Sequence, residues 1–115
     1  MVELPVSTED LSAPEDYPME NVLYGVPDAK VLWLRTNTQG EGQLLAGIFL
    51  CQPCGVEDEY LSDESMYLIE GRMTVEVIGG ESVCLNAGDV ASFPKGTKTV
   101  CHVHEPIKKF FVISG

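Results

Sequence analysis

Positive charge is scarce in this chain. Seven Lys and Arg stand against eighteen Asp and Glu in 115 residues, for a formal net charge of −11. Such a surface repels a phosphate backbone and an anionic bilayer, which argues against nucleic-acid and membrane-surface partners. Long apolar runs are missing as well, so no segment has the length to span a bilayer. The first twenty residues show neither a basic start nor an apolar signal core. They carry Glu3, Glu9, Asp10, Glu15, Asp16 and Glu20 instead, and a cytoplasmic location is expected. Long amphipathic helical stretches and solenoid-type repeats are also absent. The acidity serves solubility first, and it favours a cationic or neutral small molecule over an anionic one.

Cysteine is limited to Cys51, Cys54, Cys84 and Cys101, all in apolar, strand-like segments. Without a signal peptide, reduced and buried thiols are the expectation. Cys51-Gln52-Pro53-Cys54 is a C-x-x-C, but Cys84 and Cys101 do not form the second pair of a zinc ribbon. Gly55 and an acidic run follow it, where a thioredoxin-like centre would open a helix. The pair therefore reads as structural.

What is present is a small, strand-rich domain. A hydrophobic fraction of 44% against 22% charged residues suits one folded core. Residues 1–22 read as an acidic N-terminal arm, since Pro5, Pro14 and Pro18 forbid a long helix. Residues 23–115 read as a single strand-rich domain. Strand signals recur at 30–35, 44–52, 66–69, 73–78, 81–85, 90–93, 97–103 and 107–113. Turns are marked by Asn37, Gly40 and Gly42, by Pro53, by Glu70-Gly71-Arg72, by Gly79-Gly80, by Asn86 to Asp89, and by Pro94-Lys95-Gly96. Short strands at this spacing predict an all-β antiparallel sandwich or barrel.

Two segments resemble the short motifs of the cupin superfamily. Glu64-Ser65-Met66-Tyr67-Leu68-Ile69-Glu70-Gly71 matches the glutamate-to-glycine half of the first motif. Gly88-Asp89-Val90-Ala91-Ser92-Phe93-Pro94-Lys95-Gly96 matches the opening half of the second. With Val103-His104-Glu105-Pro106-Ile107-Lys108-Lys109-Phe110-Phe111, the chain resembles a small single-domain branch. That branch is similar to the ureidoglycine aminohydrolase cupin domain and the ethanolamine-utilisation cupin. Its members usually carry tryptophan at the position of Cys101. The resemblance implies an antiparallel jelly-roll barrel with an inward-facing site. In metal cupins the motif histidines and glutamate converge on one ion. The corresponding positions here are Glu57, Glu59, Glu64 and Thr99, with no imidazole among them. No cofactor is expected from such a set beyond a weak oxygen-ligated divalent ion.

Several residues become candidates for the barrel interior: Glu64, Lys109, Tyr67, Thr99 and Cys101. Lys109 shares strand parity with Phe111 and Ile113. In cupin topology its strand lies beside that of Glu64, so the two charges are expected to meet, as structure or as site. His102 and His104 form a His-x-His, but alternation turns them outward when Thr99, Cys101 and Val103 face in. The expectation is a barrel that binds a small polar metabolite, in a homodimer to which apolar arm residues Val2, Leu4 and Val6 contribute. The alternatives are an aminohydrolase-like enzyme of nitrogen metabolism and a structural or regulatory oligomer without catalysis.

Overall fold

The computed structural model describes residues 3–38 and 42–115. Among them are nine strands, every pairing is antiparallel, and there is no helix. The spine is the last strand, β9 (Lys98–Ser114). Along one edge it bonds β5 (Cys54–Glu59) near its start and β4 (Leu44–Cys51) toward its end. Along the other it bonds β6 (Asp63–Val77) through most of its length. β6 carries β8 (Val90–Phe93) and β7 (Val83–Asn86) on its far edge. β3 (Lys30–Asn37) extends the β4 side and β1 (Glu15–Asp16) follows it, while β2 (Val22–Gly25) covers β5. The sheet curls on itself as an all-β jelly-roll barrel.

The turn expected at Glu70-Gly71-Arg72 does not reverse the chain, and the break expected at Glu105-Pro106 does not end the last strand. Both strands bend together there. Gly71 has φ +89°, and a Cβ on it would stand 2.2 Å from the Pro106 carbonyl oxygen. Only glycine admits that approach. The pairing register slips around this point, from Leu68 to Met73. The slip moves the inward set from Glu64, Met66 and Leu68 to Met73 and Val75. Arg72 and Glu105 meet across the bend at 3.1 Å.

The core lies on the inner face. Leu68, Val75 and Leu85 are almost fully buried, and each such side chain contributes about 1.5–3 kcal/mol. Tyr60 and Phe93 stack in parallel, with ring centres 5.2 Å apart. From the N-terminal segment, β1 joins the sheet edge and Met19 packs against the core. Gly40 of the β3–β4 connection and Val2 of the arm lie outside the described residues.

Candidate functional site

Inside the curl is a cavity of about 110 Å³. Its walls come from inward positions at period two: Trp33 on β3, Phe49 on β4, Val56 and Asp58 on β5, Glu64 on β6, and Lys109 and Phe111 on β9. Tyr17 and Met19, ahead of β2, close one side. The half-exposed Tyr17 and the exposed Asp58 mark its mouth. The space is far smaller than a nucleotide-sized pocket.

Lys109 and Glu64 meet in the interior. Lys109 Nζ donates to Glu64 Oε2 at 3.3 Å, and the side chains are 13% and 14% exposed. The same ammonium lies 5.1 Å from the centre of the Phe49 ring. Burial works to lower the Lys109 pKa. The Glu64 charge and hydrogen bond, aided by nearby Cys101 and Asp58, outweigh it and leave the ammonium held above its ordinary value. Asp58 stands at the rim, its Oδ1 accepting the Glu59 backbone N–H at 2.8 Å. Partial burial raises its carboxyl above the usual range against that hydrogen bond. The Glu64 charge raises it further, while Lys109 opposes.

Cys101 lines the cavity, and burial raises its thiol against the lowering influence of Lys109. Cys51 and Cys54 flank the Gln52-Pro53 corner between β4 and β5, with Sγ atoms 3.6 Å apart. Burial, then the neighbouring Cys54, pushes the Cys51 thiol to about 12, so it stays protonated.

Other expected site residues lie elsewhere. Tyr67 is not interior. It stands between inward Met66 and Leu68, so alternation turns it to the outer face, where it is 42% exposed and pairs with Val90 and Phe110. Thr99 is buried, but its hydroxyl donates to the Asp58 carbonyl at 3.4 Å and does not line the cavity. Glu57 and Glu59 share the outer face of β5 with Gly55. A Cβ on Gly55 would stand 2.1 Å from the Tyr24 ring packed there. His102 also faces out. It is bonded to the Tyr24 hydroxyl through Nδ1 at 2.6 Å and to Glu76 through Nε2 at 3.0 Å. His104 bonds Thr74 at 2.8 Å. The four motif positions therefore do not converge. Among the described residues no three His, Cys, Asp or Glu side chains are grouped to hold a metal. The cavity lining holds the Asp58 and Glu64 carboxylates, the Cys51, Cys54 and Cys101 thiols and the Lys109 ammonium, and no imidazole, a set that does not fit an imidazole-rich metal centre.

The all-β barrel agrees with the comparison to known families. A model described as the EutQ-like cupin domain matches residues 38–111. The chain belongs to that family. Among curated proteins, no sequence match is found. Solved structures share the fold of this EutQ-like cupin. A putative ethanolamine utilization protein Q from Salmonella typhimurium superposes with a TM-score of 0.63 at 21% identity, over 74% of this chain and 68% of that one. A protein of unknown function from Pseudomonas syringae gives 0.79 at 22% identity, over 94% of this chain and 46% of the other. Ectoine synthase from P. lautus gives 0.66 at 19% identity, over 80% and 67%. The EutQ-like cupin thus spans about two thirds of the first and last of these proteins, and under half of the second.

Asp58 is the polar cavity residue that motif counting misses. Counting back from Glu64 crosses the loop after β5, where alternation is not kept. Local alternation does signal it: Cys54, Val56 and Tyr60 are buried, and Asp58 has their parity.

Proposed function

We propose that this EutQ-like cupin binds a small polar metabolite inside its barrel and holds no resident transition metal. One observation carries the reading: a sequestered Glu64–Lys109 pair and a rim carboxylate, Asp58, stand within an otherwise apolar, aromatic cavity. An apolar replacement of such a pair is often at least as stable, so stability alone is a weak reason to keep it. Polar groups placed sparsely in an apolar pocket are what orient a ligand. The assembly we infer is a cytoplasmic homodimer.

A second reading, an aminohydrolase-like enzyme, is favoured by Asp58. A carboxyl with a raised pKa beside a charged Glu64–Lys109 pair is suited to moving a proton. In that case Asp58 exchanges the proton, and Lys109 fixes the orientation of Glu64 through their 3.3 Å contact.

The test is a thermal-shift screen of metabolites on the purified full chain, with elemental analysis of protein prepared without chelators. The expected result is a ligand that raises the melting temperature of wild type and not of the Glu64→Gln, Lys109→Met double variant. A screen without such a ligand, together with about one equivalent of zinc, iron or nickel lost on Glu64→Ala, would overturn the reading.

A further inference from the structure

We propose that the barrel's ligand is a small organic cation, a protonated amine on a short apolar body, whose ammonium is received by Asp58. The inference rests on the small-molecule reading above and narrows it to a chemical class.

The charges of the cavity do not balance. Two carboxylates, Asp58 and Glu64, share the space with one ammonium, Lys109. Lys109 is committed to Glu64 at 3.3 Å. Among the described residues, no Lys, Arg or His lies within ion-pair distance of Asp58. Its carboxylate's one hydrogen bond is the 2.8 Å contact from the Glu59 amide, which leaves the second carboxylate oxygen without a partner among those residues. A ligand's ammonium supplies the missing charge. An anion meets two carboxylates and must first draw Lys109 away from Glu64, while a neutral molecule gains no charge attraction from Asp58.

The walls point the same way. Trp33, Phe49, Phe111 and Tyr17 offer aromatic surface around the space, and ring faces attract ammonium groups. Lys109 shows the arrangement within the protein itself, its ammonium placed between a carboxylate and the Phe49 ring. The remaining lining is Tyr60 with aliphatic, thioether and thiol side chains, suited to a short hydrocarbon body. The cavity of about 110 Å³ excludes a long polyamine. The net charge of −11 also draws small cations toward the surface.

The experiment is an NMR titration of the full chain at neutral pH with two size-matched probe series. One runs from methylammonium to hexylammonium with tetramethylammonium added; the other comprises the corresponding carboxylates and alcohols. The alkylammonium probes are expected to shift the Trp33 indole N–H and the backbone amides near Asp58 and Lys109, with saturation. The carboxylates are expected not to. Asp58→Asn should weaken alkylammonium binding at least about tenfold while signal dispersion stays that of a folded barrel. Asp58→Glu, which keeps the charge, should recover part of it. Binding of carboxylates or alcohols as strong as that of the amines overturns the cation inference and leaves the small-molecule reading standing. Unchanged amine affinity in Asp58→Asn also overturns it. Saturation by no probe of either series counts against both.

Discussion

Lys109 is registered opposite Leu68, yet its ammonium reaches along the inner face to Glu64, whose own cross-strand partner is Ile113. Two long side chains thus close a diagonal between β6 and β9 at 3.3 Å. Lys109→Met leaves the Glu64 charge sequestered and alone, which is expected to cost about 3–5 kcal/mol. Lys95→Met, at an exposed position, should change stability by no more than about 0.5 kcal/mol. The double change Glu64→Gln with Lys109→Met should recover part of the loss, because neither charge remains. Urea unfolding of these proteins and of Glu64→Gln alone measures this, and strictly additive losses refute the coupling. The Lys109 pKa is raised in the folded state, so its contribution is fully present below the ordinary lysine range. It is lost only as pH climbs through the higher folded value.

Much of this arrangement is legible in sequence because strands alternate. Parity with Phe111 and Ile113 places Lys109 on the inner face, and His102, out of phase with the inward Cys101 and Val103, turns outward. The fold follows from glycine and proline turns and from two motif halves. Legibility fails where alternation is interrupted. The slip around Gly71 hides the continuity of β6, since a bend and a turn share the same glycine signal. The loop between Tyr60 and Asp63 breaks the count that would assign Glu57 and Glu59 inward, and Asp58 takes the cavity position. Aromatic walls from distant strands, such as Trp33 and Phe49, have no local signature at all; only the closure of the sheet brings them together.

Removing the Asp58 charge is expected to act oppositely to removing that of Lys109, although both pKa values are raised. An aspartate whose folded pKa is raised contributes its stability below the unfolded value and loses it as pH rises through the folded one. At neutral pH the folded protein therefore carries a partly desolvated charge with no cation within ion-pair distance among the described residues. Asp58→Asn should raise stability at neutral pH, by no more than about 0.5 kcal/mol because solvent screens this exposed group. The gain should vanish in acid, where wild-type Asp58 is protonated. Melting curves at the two pH values decide the sign. A loss at neutral pH would show that an unrecognised partner holds the carboxylate.

The cysteines should separate by reactivity. Cys84 is exposed at the sheet edge, whereas Cys51 and Cys54 are buried and Cys101 is half-buried. Burial raises the last three, Cys51 to about 12, so little thiolate is available to attack an electrophile. Iodoacetamide on the native chain should modify one residue quickly, and peptide mapping should find it at Cys84. The other three should react at the rate of barrel opening and become equivalent in denaturant. Fast labelling of Cys101 in the native protein would mean that the cavity mouth is wider than the lining indicates.

The final prediction concerns assembly. The outer face of β6, β8 and β9 presents Tyr67, Val90 and Phe110, exposed by 42%, 74% and 37%, alongside Ser65, Ser92 and Val112. A strip free of charged side chains is notable in a chain with eighteen acids. Exposed apolar patches of this kind mark contacts between chains. Leu4 is 70% exposed and adds apolar surface from the N-terminal arm. Sedimentation at micromolar concentration is expected to show a dimer. Two copies of charge −11 repel each other, so added salt should strengthen association by screening them. Val90→Glu places a charge in the middle of the strip and should shift the equilibrium toward monomer while the barrel stays folded. Deleting residues 1–10 should weaken the dimer less, because the arm adds only part of the contact. A clean monomer in wild type at moderate salt would refute the assembly, and a dimer indifferent to Val90→Glu would move the interface to another face.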